Sequence, residues 1–328
     1  MRAADAHSDL LLEVTFAEHQ LGEPNPLRAR WLDPLERGNM ALQVCAIYAE
    51  PDLDTGAGLR EVLRQARAFN RAIDRNADRV VAVRTAEELD GLGDERVGLL
   101  LSLEGAAALG EDPWLIDVLA DLGVRMASLT WNERNAFASG CHHEGGVTPL
   151  GEQLVDRILD LGMALDLAHA SERTFWDVLE RDCADRVLVS HAACKALLDH
   201  PRNLADDQLA ALAQRGGVLG LMPHPLVVDI EQPTIDRFIE HAEHAVSVMG
   251  VEHVALGGDF LRQIMRALGE QGELEDGLAA DAAIDGLEGP QDFPAFAEAL
   301  RRHGWPESAV AAVLGQNLLR LIGQALAR

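Results

Sequence analysis

Short aliphatic or β-branched runs recur along the chain and alternate with stretches whose apolar residues return every three or four positions. The runs are Ala4–Leu10, Ala41–Tyr48, Val97–Glu104, Arg125–Trp131, Gly162–His169, Arg186–His191, Gly217–Met222 and His253–Asp259. Between most of them lie amphipathic segments: Leu59–Asn70, Leu150–Leu161, Ser171–Arg181, Ala205–Arg215 and Thr234–Met249. The first set predicts strands and the second helices. Strands separated by helices pair in parallel, because a parallel crossover needs about a dozen residues or more. Eight such strands in 328 residues predict an α/β fold closed as a (β/α)8 TIM barrel rather than an open sheet. A further run, Val80–Val83, fits none of the eight and is assigned to a loop or helix. No linker rich in Pro or Ser divides the chain, so one barrel domain is predicted over 1–328. The stretch 261–292, Gly- and acid-rich for most of its length, reads as a loop over the barrel mouth that serves as a lid. Helical segments Phe293–His303 and Glu307–Ile322 follow within 293–328.

Composition narrows the function classes. The chain carries 54 acidic against 28 basic side chains, a formal net charge of -26. That surface repels phosphate backbones and anionic lipid, so neither nucleic acid nor a membrane is an expected partner. The opening MRAADAHSDL turns polar within a few residues, and no apolar run reaches the roughly eighteen residues of a spanning helix. A cytoplasmic protein is expected. Cys45, Cys141, Cys183 and Cys194 show neither CxxC spacing nor a framework pattern, which predicts thiols rather than disulfides.

Candidate chemistry enters through position. His7 and Asp9 close the first predicted strand, Glu104 the third, His169 the fifth, His191 the sixth and Asp259 the eighth. Strands of a parallel barrel all run the same way, so these six side chains converge on its C-terminal face, where barrel active sites lie. The His7-x-Asp9 spacing of two places both side chains on one side of a strand. A His-x-Asp pair is common by chance; six suitable residues at five strand ends are not. Neutral imidazoles with carboxylates are a ligand set for zinc and similar ions. Three histidines, an aspartate and a glutamate exceed the needs of one open tetrahedral site. Two ions roughly 3.5–4 Å apart, sharing a carboxylate and a hydroxide, account for all five. The single lysine, Lys195, is badly placed to bridge them, which leaves Glu104.

These residues sit in segments that resemble the membrane dipeptidase (renal dipeptidase) family, peptidase family M19, of the amidohydrolase superfamily. The segments are DAHSD at Asp5–Asp9, LSLEG at Leu101–Gly105, GMALDLAHAS at Gly162–Ser171 and VLVSHA at Val187–Ala192. RNLADD at Arg202–Asp207, ALGGDF at Ala255–Phe260 and NLLRL at Asn317–Leu321 follow in order. The resemblance implies a binuclear zinc dipeptidase that tolerates a D-residue at the C-terminal position, and it allows a homodimer. By position, His7 and Asp9 would bind one zinc and His169 and His191 the other, with Glu104 and a hydroxide bridging. Asp259 would be the acid/base residue, Arg202 would hold the substrate's terminal carboxylate, and Tyr48 would line the pocket. One departure stands out: the family often reads LTHN after its fourth strand, and this chain has Trp131 there. Indole offers one N–H and neither base nor cation, so N-acyl amino acids, cyclic amides and β-lactams form the alternative substrate classes. His142 and His143, in the loop beyond Trp131, read as solvated loop histidines. A non-catalytic, metal-stabilised binding protein is disfavoured by the intact ligand set.

Overall fold

The computed structural model describes residues 2–50, 53–181, 183, 185–270, 272 and 277–327. Among these, nine strands form one sheet: β1 (Ala3–Asp5), β2 (Met40–Tyr48), β3 (Val80–Ala82), β4 (Val97–Glu104), β5 (Val124–Ser128), β6 (Ala164–Asp166), β7 (Val187–Ala192), β8 (Val218–Leu221) and β9 (Val254–Leu256). Every pairing is parallel, and the order β2-β1-β9-β8-β7-β6-β5-β4 closes on itself through β2–β4. The fold is therefore a (β/α)8 barrel.

The Val80–Val83 run is a strand after all. β2 occupies one edge of β4 from Gly98 to Glu104, and β5 joins the other edge only from Leu101. β3 fills that second edge below it, at Val97–Leu99, so it adds a ninth strand without opening the barrel.

Both faces of the strands are buried, which is why they read as unbroken apolar runs. Alternate residues separate into two clusters. Ala4, Leu42, Leu100, Met126, Ala164, Leu188, Val218 and Ala255, from the eight closed strands, meet in the smaller one with Leu318, Leu321, Ile322 and Ala325 of the last helix. The larger cluster packs the opposite face against the surrounding helices. Each fully buried leucine or isoleucine side chain contributes about 1.5–3 kcal/mol of transfer free energy, and the last helix adds three such residues, Leu318, Leu321 and Ile322, to the barrel floor. Asn317 anchors that helix by donating to Val251 O and Val254 O, both at 2.7 Å.

Two sequence expectations change here. The helical stretch Glu307–Leu326 is long and apolar enough, by length and composition, to cross a bilayer, although charged residues interrupt its apolar run. Half of it is buried against this protein's own core. The predicted lid, 261–292, is not loop throughout. It opens with the helix Leu261–Leu268, ended by Gly269 in the left-handed region at φ 77°, and Ile284 and Leu287 bury themselves through a short bridge. Three of the predicted amphipathic helices begin at capping hydroxyls: Thr148, Ser171 and Thr234 accept from Gly151, Thr174 and Arg237 amides at 3.0–3.1 Å.

Candidate metal centre

The six metal-capable residues gather at the C-terminal mouth of the barrel, but only Glu104 and His191 lie within strands. β1 ends at Asp5, so His7 and Asp9 do not share a strand face as predicted. His7 follows the strand, and Asp9 precedes the helix Leu10–His19 without capping it through its side chain. His169 and Asp259 lie three residues beyond β6 and β9, in the left-handed region at φ 64° and 41°. Backbone strain of this kind at non-glycine residues is held by surrounding contacts and concentrates at working sites. Asp5 supplies one such contact. Its Oδ1 accepts from the Gly258 amide at 2.6 Å and the His7 amide at 3.2 Å, tying together the segments that carry His7 and Asp259.

His191 is turned into the mouth by an irregularity in β7, where the register with β8 shifts between Val189 and Ala192. The bulged Ser190 carbonyl projects into space that only glycines leave open. A Cβ on Gly257 would stand 1.8 Å from that oxygen, and one on Gly220 1.9 Å. Backbone cannot give way as a side-chain tip can. Gly257→Ala is therefore expected to cost about 3 kcal/mol in urea unfolding. A variant as stable as wild type would contradict this account of the bulge.

Nε2 of His7 lies 3.5 Å from Asp9 Oδ1, 3.6 Å from Glu104 Oε2 and 3.8 Å from Asp259 Oδ1. Nε2 of His169 lies 3.0 Å from Glu104 Oε1 and 2.8 Å from His191 Nε2, which is 3.7 Å from the same oxygen. Glu104 thus faces His7 with one oxygen and the His169–His191 pair with the other. Buried and lacking any hydrogen-bond partner are His7 Nε2, Asp9 Oδ1 and Asp259 Oδ1. His169 Nδ1 donates to Asn132 Oδ1 at 2.6 Å, so its Nε2 presents a lone pair toward His191. Buried lone pairs with nothing between them are costly. The donor chemistry fits a divalent cation: donor atoms of His7, Glu104 and His191 lie within 4.8 Å of one another, and so do those of His7, Asp9 and Asp259.

The same crowding displaces the pKa values of His7, Glu104, His169, His191 and Asp259. Burial opposes charge on His7, but Glu104, Asp9 and Asp259 outweigh it and hold the imidazole well above its usual range. Burial lifts Glu104 well above the carboxylate range, with Asp9 and Asp259 adding to it, and raises Asp259 to about 6. Burial, then the positive charges of Arg202 and His7, push His169 and His191 well below the usual imidazole value.

Arg202 is buried beside this group, with Nη2 3.1 Å from His169 Nε2 and donating to His191 O at 3.2 Å. Tyr48, at the end of β2, packs against Trp131 at 5.4 Å between ring centroids, and Trp131 against His169 at 5.8 Å. A pocket of about 290 Å³ opens over Asp9, Glu104, His169, Arg202 and Asp259. Its apolar wall includes Leu12, Met222, Leu226 and Val227, and the helix Leu261–Leu268 adds Leu261 and Met265. The predicted lid region therefore builds part of this wall. His142 and His143 line a separate cavity and pair with Glu133; Lys195 lines that same cavity and pairs with Asp199.

The sequence profile described as "Membrane dipeptidase (Peptidase family M19)" matches residues 1–327. The chain belongs to that family. Among curated members it is 30% identical to dipeptidase verJ of Clonostachys rogersoniana over 270 residues, 80% of this chain and 65% of that protein. It is 27% identical to dipeptidase 3 of Rattus norvegicus over 340 residues, 98% of this chain and 64% of that protein. The chain spans about half to two thirds of the length of the first curated dipeptidases it matches. In three dimensions it superposes on a Rhodobacter sphaeroides metallopeptidase solved with a phosphinate mimic of L-Ala-D-Ala. The TM-score is 0.86 at 22% identity, covering 99% of both chains. The dipeptidase named AC, of the same family, also superposes with TM-score 0.86 and 22% identity, over 100% of this chain and 99% of that one.

Three residues of this dipeptidase-family site escaped the sequence reading: Asn132 behind His169, and Ser190 and Asp166 behind His191. Each lies within or beside a quoted motif, yet Asn, Ser and Asp are too common near strand ends for their spacing to single them out.

Proposed function

We propose that this chain is a dipeptidase that works with two zinc ions, one held by His7 and Asp9 and the other by His169 and His191, with Glu104 reaching both. The observation that carries the reading is the set of buried donor atoms without hydrogen-bond partners gathered around Glu104, with Arg202 beside them. When bound, the metal would polarise the scissile carbonyl and lower the pKa of a water held there toward about 7.

The chain's own residues do the rest. Arg202 pairs with the substrate's terminal carboxylate, which fixes the scissile bond relative to Glu104 and favours substrates ending one residue beyond it. Asp259, raised to about 6 by burial with Asp9 and Asp5 adding to it, takes a proton at Oδ1 from the attacking water and returns it to the leaving amine. Tyr48 and Trp131 form one wall, and the apolar wall opposite excludes water from the substrate's side chain. The 290 Å³ volume suits a substrate of dipeptide size. A relative of the same fold solved with an L-Ala-D-Ala mimic makes L,D-dipeptides the first compounds to try, alongside L,L-dipeptides. The acidic surface and the absence of paired cysteines at Cys45 and Cys194 support a cytoplasmic setting.

Trp131 favours a second reading, in which the same centre hydrolyses N-acyl amino acids, cyclic amides or β-lactams. One experiment separates them. The protein is stripped with a chelator, titrated with zinc, and assayed on L,L- and L,D-dipeptides, the corresponding dipeptide amides and N-acetyl amino acids. Activity is expected to vanish on stripping, return at two zinc per chain, and run at least about tenfold higher on dipeptides than on their amides. Hydrolysis of N-acetyl amino acids without dipeptides would move the assignment to the second reading.

A further inference from the structure

The two histidines that face Glu104, His169 beyond the end of β6 and His191 within β7, rest on different supports. Behind His169 stands the neutral amide of Asn132. Behind His191 stands a relay: Nδ1 lies 2.8 Å from Ser190 Oγ, and that hydroxyl lies 2.6 Å from Asp166 Oδ2, at the end of β6. Serine has one proton for these two neighbours, so the direction of the relay is decided at Asp166. Asp166 Oδ1 already accepts the Ala168 and Ser190 amides at 2.9 Å each, which fixes the rotation of the carboxylate and leaves Oδ2 facing the hydroxyl. A carboxylate only accepts. The Ser190 proton therefore points to Asp166, and Ser190 Oγ offers His191 a lone pair. His191 must then carry its proton on Nδ1 and keep the Nε2 lone pair toward Glu104 and His169.

We propose that Asp166 is a positioning residue which, through Ser190, holds His191 in the one tautomer able to ligate a cation. The proposal rests on the metal reading above. It has a consequence that packing alone would not produce. In Asp166→Asn the amide oxygen stays with the two backbone N–H groups, and the NH2 then faces Ser190 and donates. Ser190 accepts from it and turns its own proton onto His191 Nδ1. The imidazole proton moves to Nε2, and the ligand lone pair is lost. Ser190→Ala deletes the relay and leaves His191 able to adopt either tautomer. The double variant D166N/S190A removes the misdirected hydroxyl as well.

Zinc affinity is measured by competition with a chromophoric chelator, beside urea unfolding of each stripped protein. Losing such a support weakens metal binding about 10–100-fold. D166N is expected near the upper end, about 100-fold, and S190A near the lower, about tenfold. The double variant is expected to recover to the S190A level, and Ser190→Thr, which keeps the hydroxyl, to stay close to wild type. A second readout needs no metal. Long-range nitrogen–proton NMR of stripped, 15N-histidine-labelled protein is expected to show His191 protonated at Nδ1 in wild type and at Nε2 in D166N.

Wild-type affinity in a folded D166N, or a double variant weaker than D166N, would overturn the proposal. An Nε2–H signal from His191 in the wild type would do the same. If D166N proves too unstable to purify, the wild-type tautomer and the S190A and S190T affinities still decide it. Wild-type protein that takes up no zinc would sink the metal reading itself, a result distinct from equal affinities in wild type and D166N.

Discussion

Glu104→Gln is expected to reduce zinc binding from two ions per chain to one or none and to lower kcat/KM by about a thousandfold or more. Among the described residues, Glu104 alone turns its two oxygens to both halves of the site, at 3.6 Å from His7 on one side and 3.0 Å from His169 on the other. An amide keeps the shape and one oxygen but replaces the other with an NH2 that has no lone pair to give. Stability should move the opposite way. Burial, with Asp9 and Asp259 adding to it, lifts the folded-state pKa of Glu104 well above its unfolded value. A carboxyl shifted in that direction binds protons more tightly when folded, so stability falls as pH rises from the ordinary carboxylate range through the raised value. At neutral pH the stripped wild type therefore carries a penalty that glutamine relieves. Stripped E104Q is expected to melt no lower than stripped wild type, while zinc raises the Tm of wild type far more than that of the variant. Full zinc content with wild-type turnover in E104Q would remove Glu104 from the centre.

Barrel strands are buried on both faces, so β2 and β4 announce themselves as unbroken apolar runs, and the helices between them by their periodicity. Strand ends are less visible. Ala6, Leu167 and Ala168 continue the apolar pattern past the last residues of β1 and β6, so the sequence carries the predicted strands on to His7 and His169. Positive φ at His169 and Asp259 leaves no mark in the sequence, since neither is glycine. The candidate ligand set was legible because six metal-capable residues close five predicted strands, a coincidence that no single His, Asp or Glu would make. Asn132, Ser190 and Asp166 were not, because their roles exist only as contacts among the ends of β5, β6 and β7. The helix Leu261–Leu268 was hidden by the Gly- and acid-rich sequence that follows it, and β3 by its brevity.

Asp259→Asn is the variant that separates holding a cation from moving a proton. Asp259 Oδ1 lies close enough to His7 and Asp9 to complete a three-donor group, so its position alone is compatible with either role. Asparagine keeps an oxygen for a ligand but cannot accept a proton at neutral pH. It is also the substitution the backbone tolerates best, because Asn enters the left-handed region more readily than other non-glycine residues. Asp259→Ala would add strain at φ 41° and confuse the result. If Asp259 is the acid/base residue, D259N retains zinc, keeps KM within a few-fold and loses about 10²–10⁴ in kcat, the usual worth of a positioned proton-transfer group. If it is chiefly a ligand, zinc content falls together with turnover, and added zinc restores both. Full metal with near wild-type turnover would exclude Asp259 from the chemistry.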